Sequence, residues 1–183
     1  MPGSESSAAL AGPIRAIQII CGAISMGPLV FLLIVIFAIP PGAAGALAGP
    51  PVITYAAIAF ALIVMAVRAP LINMMVSRER KQIAQGLYRS SDGRMAGDFI
   101  ANTGDAGRLF LVYQKRMIFG AAMLEGCTFF LIIAYLIERT PYALAGAILL
   151  LLALLAQIPT RANIERWIEE QYQLIEKERQ AGG

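Results

Sequence analysis

MIFGAAMLEGCTFFLIIAYLI, Met117 to Ile137, is 21 residues long and carries a single charge, Glu125. A helix needs about 20 apolar residues to cross the hydrocarbon core of a bilayer, and this run has them. No water is available there, so the backbone amides must pair within their own segment, and the run reads as a helix. Glu125 lies near its middle. An ionisable side chain at that depth costs roughly 2.5 to 3.5 kcal/mol on insertion scales, so it is expected to face a partner rather than lipid.

Three more apolar runs flank this one. The first covers about Ala16 to Ile39. The second starts at Pro51, stays uncharged to Val67, and continues through Arg68 to Val76, with the long Arg68 side chain expected to snorkel toward the headgroups. The last runs from Tyr142 to Ile158. Pro40, Pro41, Pro50 and Pro51 bracket a Gly/Ala-rich link between the first two runs, and Thr140 and Pro141 mark a tight link between the last two. The predicted fold class is all-α: a polytopic integral membrane protein with four transmembrane helices (16–39, 51–76, 117–137 and 142–158) in two hairpins, plus an amphipathic C-terminal helix. Residues 1–14 are expected to be a flexible N-terminus, 15–159 the membrane domain, 77–116 its loop, and 160–183 the tail.

Composition agrees. Hydrophobic residues make up 58% of the 183 and charged residues 15%, where soluble domains carry about 25% charged. There is no histidine, which excludes imidazole-ligated metals and histidine general bases. Cys21 and Cys127 both fall in apolar runs and read as small buried packing residues. Neither a metal nor a cofactor is predicted. The net charge of +3 gives no reason to expect nucleic acid as a partner.

The distribution of basic residues sets the orientation. Arg15 precedes the first span, eight lysines and arginines lie in 77–116, and four follow the fourth span, whereas the two short links on the other side hold only Arg139. The positive-inside rule therefore puts both termini and the 77–116 loop in the cytoplasm. The first apolar run exceeds a cleavable signal core of about 7 to 15 residues and reads as a retained anchor.

In the loop, a helix is expected to continue to about Tyr88, with Ser90 to Gly93 breaking it. In the tail, Ile164, Trp167, Ile168, Tyr172 and Ile175 form one stripe at three- and four-residue steps. The tail carries four basic and five acidic residues. It lacks the cationic face of a lipid-binding helix, so it is expected to pack on the basic loop, with Trp167 as the interface anchor.

Motifs for catalysis are absent. DGRMAGD, Asp92 to Asp98, is superficially similar to the DG-xx-AR opening of membrane phosphatidyltransferases, but Gly97 occupies the arginine position and the segment is predicted to be loop. No phosphate-loop pattern occurs, and no serine or cysteine has a histidine to activate it.

Glu125 is thus the leading candidate site. Ala121, Ala122, Thr128 and Phe129 share its helix face, and small residues favour close helix contact. The first span offers a stripe of Gln18, Cys21, Gly22 and Ser25, and Pro28 frees the Ile24 carbonyl, to which a neutral Glu125 carboxyl would donate. Glu125, Ser25 and Thr128 are the predicted ion or proton site. Gly22, Pro28, Ala121 and Ala122 are the predicted interhelical packing residues.

The run AAMLEGCTFFLIIAYLIE, with IPTRANIERWI after the fourth span, resembles a group of small uncharacterised bacterial membrane proteins with a pattern near ALLEGxAFFxLIxYLL. The resemblance covers about Gln114 to Trp167 and implies the bacterial plasma membrane, with no activity to carry over. A fainter likeness is to rotor-ring proteolipids, helical hairpins with a mid-membrane carboxylate. There the carboxylate sits on the second helix of the hairpin, whereas Glu125 is on the first.

Two functional readings follow. In the first, the chain is a non-enzymatic assembly, scaffold or accessory subunit, with Glu125 as a buried interhelical clamp. In the second, it moves protons or ions through Glu125, along a ladder of Gln18, Ser25, Thr128 and Tyr135 joined by Thr54 and Tyr55. The expected partners are the lipid bilayer and either a second copy of the chain or another membrane protein.

Overall fold

A computed structural model describes residues 4–38, 50–88 and 93–181. The described chain is all-α, in the order α1 (Ser4–Phe37), α2 (Val52–Ala84), α3 (Gly93–Glu138), α4 (Pro141–Ala156) and α5 (Arg161–Ala181). Stretches of α1, α2 and α3 are long and apolar enough to cross a membrane: Ala11–Phe37, Val52–Ala84 and Thr103–Glu138. This architecture is consistent with a polytopic membrane fold. At 1.5 Å per residue, the 33 residues of α2 reach roughly 50 Å, well beyond a hydrocarbon core of about 30 Å. α4 has 16 residues, about 24 Å, and falls short of that thickness.

The ends of the elements follow from local chemistry. Pro141 opens α4 at the position where a missing N–H costs nothing. α2 ends at Ala84 because Gly86 takes a positive φ of 70°. The Gly86 amide then donates to the Ile83 carbonyl and the Leu87 amide to the Gln82 carbonyl, the paired bonds of a Schellman cap. The stop thus comes before Ser90 to Asp92, which lie outside the described residues, as does the 39–49 link with Pro40 and Pro41. Gly104, at φ 60° and ψ −135°, kinks α3 in a backbone region that only glycine enters easily.

Two helices begin outside the predicted spans. Ser4 already begins α1, where a flexible segment through residue 14 is predicted. Gly93 begins α3, where a loop is predicted. Glycines at 93, 97, 104 and 107 suggest a loop, but three of these sites tolerate helix, and only Gly104 uses its conformational freedom.

The chain divides into two compact units. One comprises Met1–Ile19, Leu71–Ile118 and Pro159–Gly183, and the other Ile20–Pro70 and Phe119–Ile158. The second, apolar unit holds only four charged residues, Arg68, Glu125, Glu138 and Arg139. Its core joins Leu32 and Val35 of α1, Ala57 and Ala61 of α2, Leu124, Cys127, Leu131 and Ile132 of α3, and Ala143, Ala147, Leu150 and Leu154 of α4. Alanine and glycine bring these helices close. A Cβ on Gly146 would lie 3.2 Å from Leu131 Cδ1. Around this core Leu33, Leu62, Ile63, Leu149 and Leu152 stay exposed, as side chains in contact with lipid would. Cys21 and Cys127 are buried free thiols.

The charged unit has its own core. Ile14 and Ile17 of α1, Ile72 and Ile83 of α2, Leu109, Phe110 and Val112 of α3, and Ile164, Ile168 and Ile175 of α5 are buried. Three of the five stripe residues of α5 are therefore docked, while Trp167 is half-buried and Tyr172 exposed. Thr160 starts α5 by accepting the Asn163 amide on its hydroxyl at 3.3 Å, a side-chain N-cap.

Two outcomes check this packing. Ile164→Ala and Ile175→Ala should each cost about 2 to 5 kcal/mol and open 161–181 to limited proteolysis, which should spare the parent chain. Gly146→Leu overpacks the Leu131 contact and should lower stability by about 1 to 3 kcal/mol. Gly22→Leu should be nearly neutral in the same thermal scan, because nothing lies within 4 Å of a Cβ at Gly22.

Candidate functional site

The predicted carboxylate site does not assemble. Glu125 is only half-buried, and among the described residues no hydrogen bond or ion pair reaches its carboxyl group. It does approach α1, at a different face from the predicted one. Oε1 lies 3.3 Å from where a Cβ on Gly27 would be, and the Phe129 ring shares that gap at 3.5 Å. Gly27 follows Ser25 by two residues, about 200° around the helix. The predicted depth is therefore nearly right, but the azimuth is wrong.

The two hydroxyls are spent elsewhere. Ser25 Oγ donates to the Cys21 carbonyl at 2.9 Å and Thr128 Oγ1 to the Leu124 carbonyl at 2.8 Å, both bonds being buried. A helical serine or threonine in apolar surroundings can satisfy itself on the carbonyl four residues back. The predicted ladder disperses in the same way. Gln18 Nε2 donates to the Pro159 carbonyl at 2.9 Å, and the Thr54 and Thr140 hydroxyls bond each other at 2.7 Å. The buried interhelical carboxylate expected from the sequence is therefore withdrawn as a clamp and as an exchange site. Of the predicted packing residues, Ala121 and Pro28 are buried, Gly22 is half-buried beside open space, and Ala122 is exposed.

Two other charges in the apolar unit have firm partners that the sequence reading missed. The Glu138 carboxylate accepts the Ile53 amide on Oε1 and the Thr54 amide on Oε2, both at 2.8 Å. It thereby caps the first turn of α2, where free N–H groups and the helix dipole favour negative charge. Arg68 is held by α3 and by the end of α4. Its Nε donates to the Gly120 carbonyl at 3.2 Å, and its Nη2 donates to Gln157 Oε1.

In the charged unit, side chains of α2, α3 and α5 converge on a pocket of about 270 Å³, lined by Asn73, Val76, Ser77, Arg80, Arg116, Trp167 and Gln171. Each helix places its share by ordinary periodicity. Residues 73, 76, 77 and 80 form one stripe of α2, and 167 and 171 are one turn apart on α5. Trp167 is the hub: its ring stacks at a tilt on Tyr113, centroids 5.1 Å apart, and the Arg116 guanidinium lies 5.6 Å above it. Arg80 is held from the α5 side. Its Nε and Nη2 donate to Glu178 Oε1 at 3.1 and 2.8 Å, and its Nη1 to Gln171 Oε1 at 3.2 Å. The lining contains two guanidinium groups, two amides and a hydroxyl, and no carboxylate.

Ion pairs hold the rest of this unit in register. Lys115 meets Glu79 at 3.2 Å and lies over the Tyr88 ring. Asp105 accepts from Arg108 at 2.9 Å and from Arg179 at 2.8 Å. Among the described residues no cluster of three metal-ligating side chains occurs. The spacing Asn73, Ser77, Arg80 was a legible signal for the pocket, since it sets three polar side chains on one face of a helix leaving an apolar run. The contribution of Arg116 and α5 was not legible.

No protein-family model matches the chain, and neither does a curated protein or a solved structure.

An unpartnered, half-buried carboxylate contributes little to holding the fold. Glu125→Gln and Glu125→Leu should both fold, with thermal transitions at or above the parent value. A loss of more than about 2 kcal/mol, the scale of a broken buried polar contact, would show that Glu125 has a partner after all.

Proposed function

We propose that the chain is a polytopic integral membrane protein that works as a binding protein at the cytoplasmic surface of the membrane. The observation that carries this reading is the pocket in the charged unit, where two arginines and the single tryptophan of the chain converge. The apolar unit supplies the membrane part, and its exposed leucines and isoleucines meet lipid. In this reading α1, α2, α3 and α4 are four spans in two hairpins, and α5 is the amphipathic helix along the membrane surface.

The positive-inside rule supports the orientation. Both termini and 77–116 lie on the cytoplasmic side, where 13 of the 15 basic residues fall, Arg68 being in the second span and Arg139 on the other side. The membrane proposed is the bacterial plasma membrane, the location implied by the resemblance read from the sequence of 114–167. The pocket lining also fits this level. Arg116 immediately precedes the apolar run that starts at Met117, and tryptophan is enriched at the membrane–water interface. Binding rather than chemistry is the reading, since the lining offers donors and an aromatic face but no nucleophile with a base.

Single cysteines at Gln85 and Tyr142, both exposed, in a chain with Cys21 and Cys127 replaced by alanine, test the arrangement. In sealed right-side-out membranes an impermeant maleimide should label the Tyr142→Cys chain and leave Gln85→Cys untouched until the membrane is opened. Labelling of Gln85→Cys from outside would end this reading.

A further inference from the structure

We propose that the Arg80–Arg116–Trp167 pocket binds a phosphate group, and that the phosphate belongs to the headgroup of an anionic phospholipid. This inference rests on the membrane-surface reading above. The lining is built to receive an anion. Arg116 supplies forked donors that match phosphate oxygens, and Arg80 adds its positive charge and the N–H groups not taken by Glu178 and Gln171. The Asn73 and Gln171 amides add neutral donors, the Ser77 hydroxyl is spent on the Met74 carbonyl at 3.0 Å, and no carboxylate lines the pocket. Among the described residues Arg116 forms no ion pair. Its guanidinium rests on the face of Trp167, which holds the plane in place and leaves its edge N–H groups for a ligand. The volume of about 270 Å³ is just under the range of about 300 to 1,000 Å³ for drug-sized ligands, which suits a compact group.

The lipid source follows from depth. On α3 the pocket arginine is the last residue before the apolar run, and on α2 the stripe from Asn73 to Arg80 straddles the end of the apolar run at Val76. Both positions are at headgroup level in the four-span reading, where the abundant anion is a phosphodiester. Basic pockets between helices on the cytoplasmic side bind anionic headgroups. Glu178 is the internal competitor. It accepts two donors of Arg80 from outside the lining, so a bound phosphate must share Arg80 with it.

Trp167 is the only tryptophan, so its fluorescence reports on this pocket alone. The full chain in phosphatidylcholine nanodiscs is titrated in one arm with phosphatidylglycerol and in the other with inorganic phosphate. Expected is a saturable emission change with phosphatidylglycerol. It should be weakened about tenfold or more in Arg116→Gln, the loss of one charge-assisted contact, and strengthened severalfold in Glu178→Gln. The same Arg116-dependent response to inorganic phosphate at equal or lower concentration would overturn the lipid assignment while upholding the phosphate site. No saturable response in either arm, or one that neither substitution alters, would overturn the site. Should Arg116→Gln unfold, Glu178→Gln carries the test alone, because a merely structural ion pair predicts weaker binding, not tighter. Cysteine labelling in sealed right-side-out membranes, as described above, separates the two layers. Correct sidedness with no response removes the phosphate inference, whereas inverted sidedness removes the membrane-surface reading itself.

Discussion

Inside an apolar medium each polar group must be satisfied by something already in the chain, and the structure follows from that constraint. It makes the long uncharged runs helical, because a helix pairs its own amides and carbonyls. It explains the hydroxyls of Ser25 and Thr128, which fold back on carbonyls of their own helices. It also explains two of the charges of the apolar unit. Arg68 finds a backbone carbonyl and the Gln157 amide oxygen, and Glu138 finds the free amides at the start of α2. Each is a charge meeting unpaired or doubly usable backbone, which is cheaper than meeting lipid.

Glu125 shows how that constraint can mislead. A carboxylate in the middle of an apolar run was expected to collect the nearest hydroxyls. Those hydroxyls had a closer option on their own helices, one that required no agreement between two elements. Gly27 instead leaves room for the carboxyl group, so the contact is one of shape without a donor.

The charged unit works by a different balance. Its ion pairs are partly exposed, and such pairs contribute little each because water competes and long side chains must be ordered. What docks α5 is the isoleucine stripe at 164, 168 and 175. The charges choose the register, with Arg80 to Glu178 and Asp105 to Arg179. The same docking brings Trp167 under Arg116 and supplies one wall of the pocket.

The sequence by itself determined that this chain is all-α with several long apolar helices, because run length, the absence of charge and the proline marks are local properties. The apolar stripe of α5 was legible for the same reason, as was the burial of Cys21 and Cys127. The helix through Gly93 to Gly107 was not, since glycine and aspartate lower helix propensity without forbidding a helix that is packed. Nor was the stop at Gly86, where a positive φ and two carbonyl bonds act together. Tertiary structure alone decided which faces meet. Helical periodicity fixes each side chain relative to its own axis, but the rotation of one helix against another is set by where small residues allow approach, as at Gly27 and Gly146. That rotation took Glu125 away from Ser25 and brought Arg80, Arg116 and Trp167 together from three helices far apart in sequence.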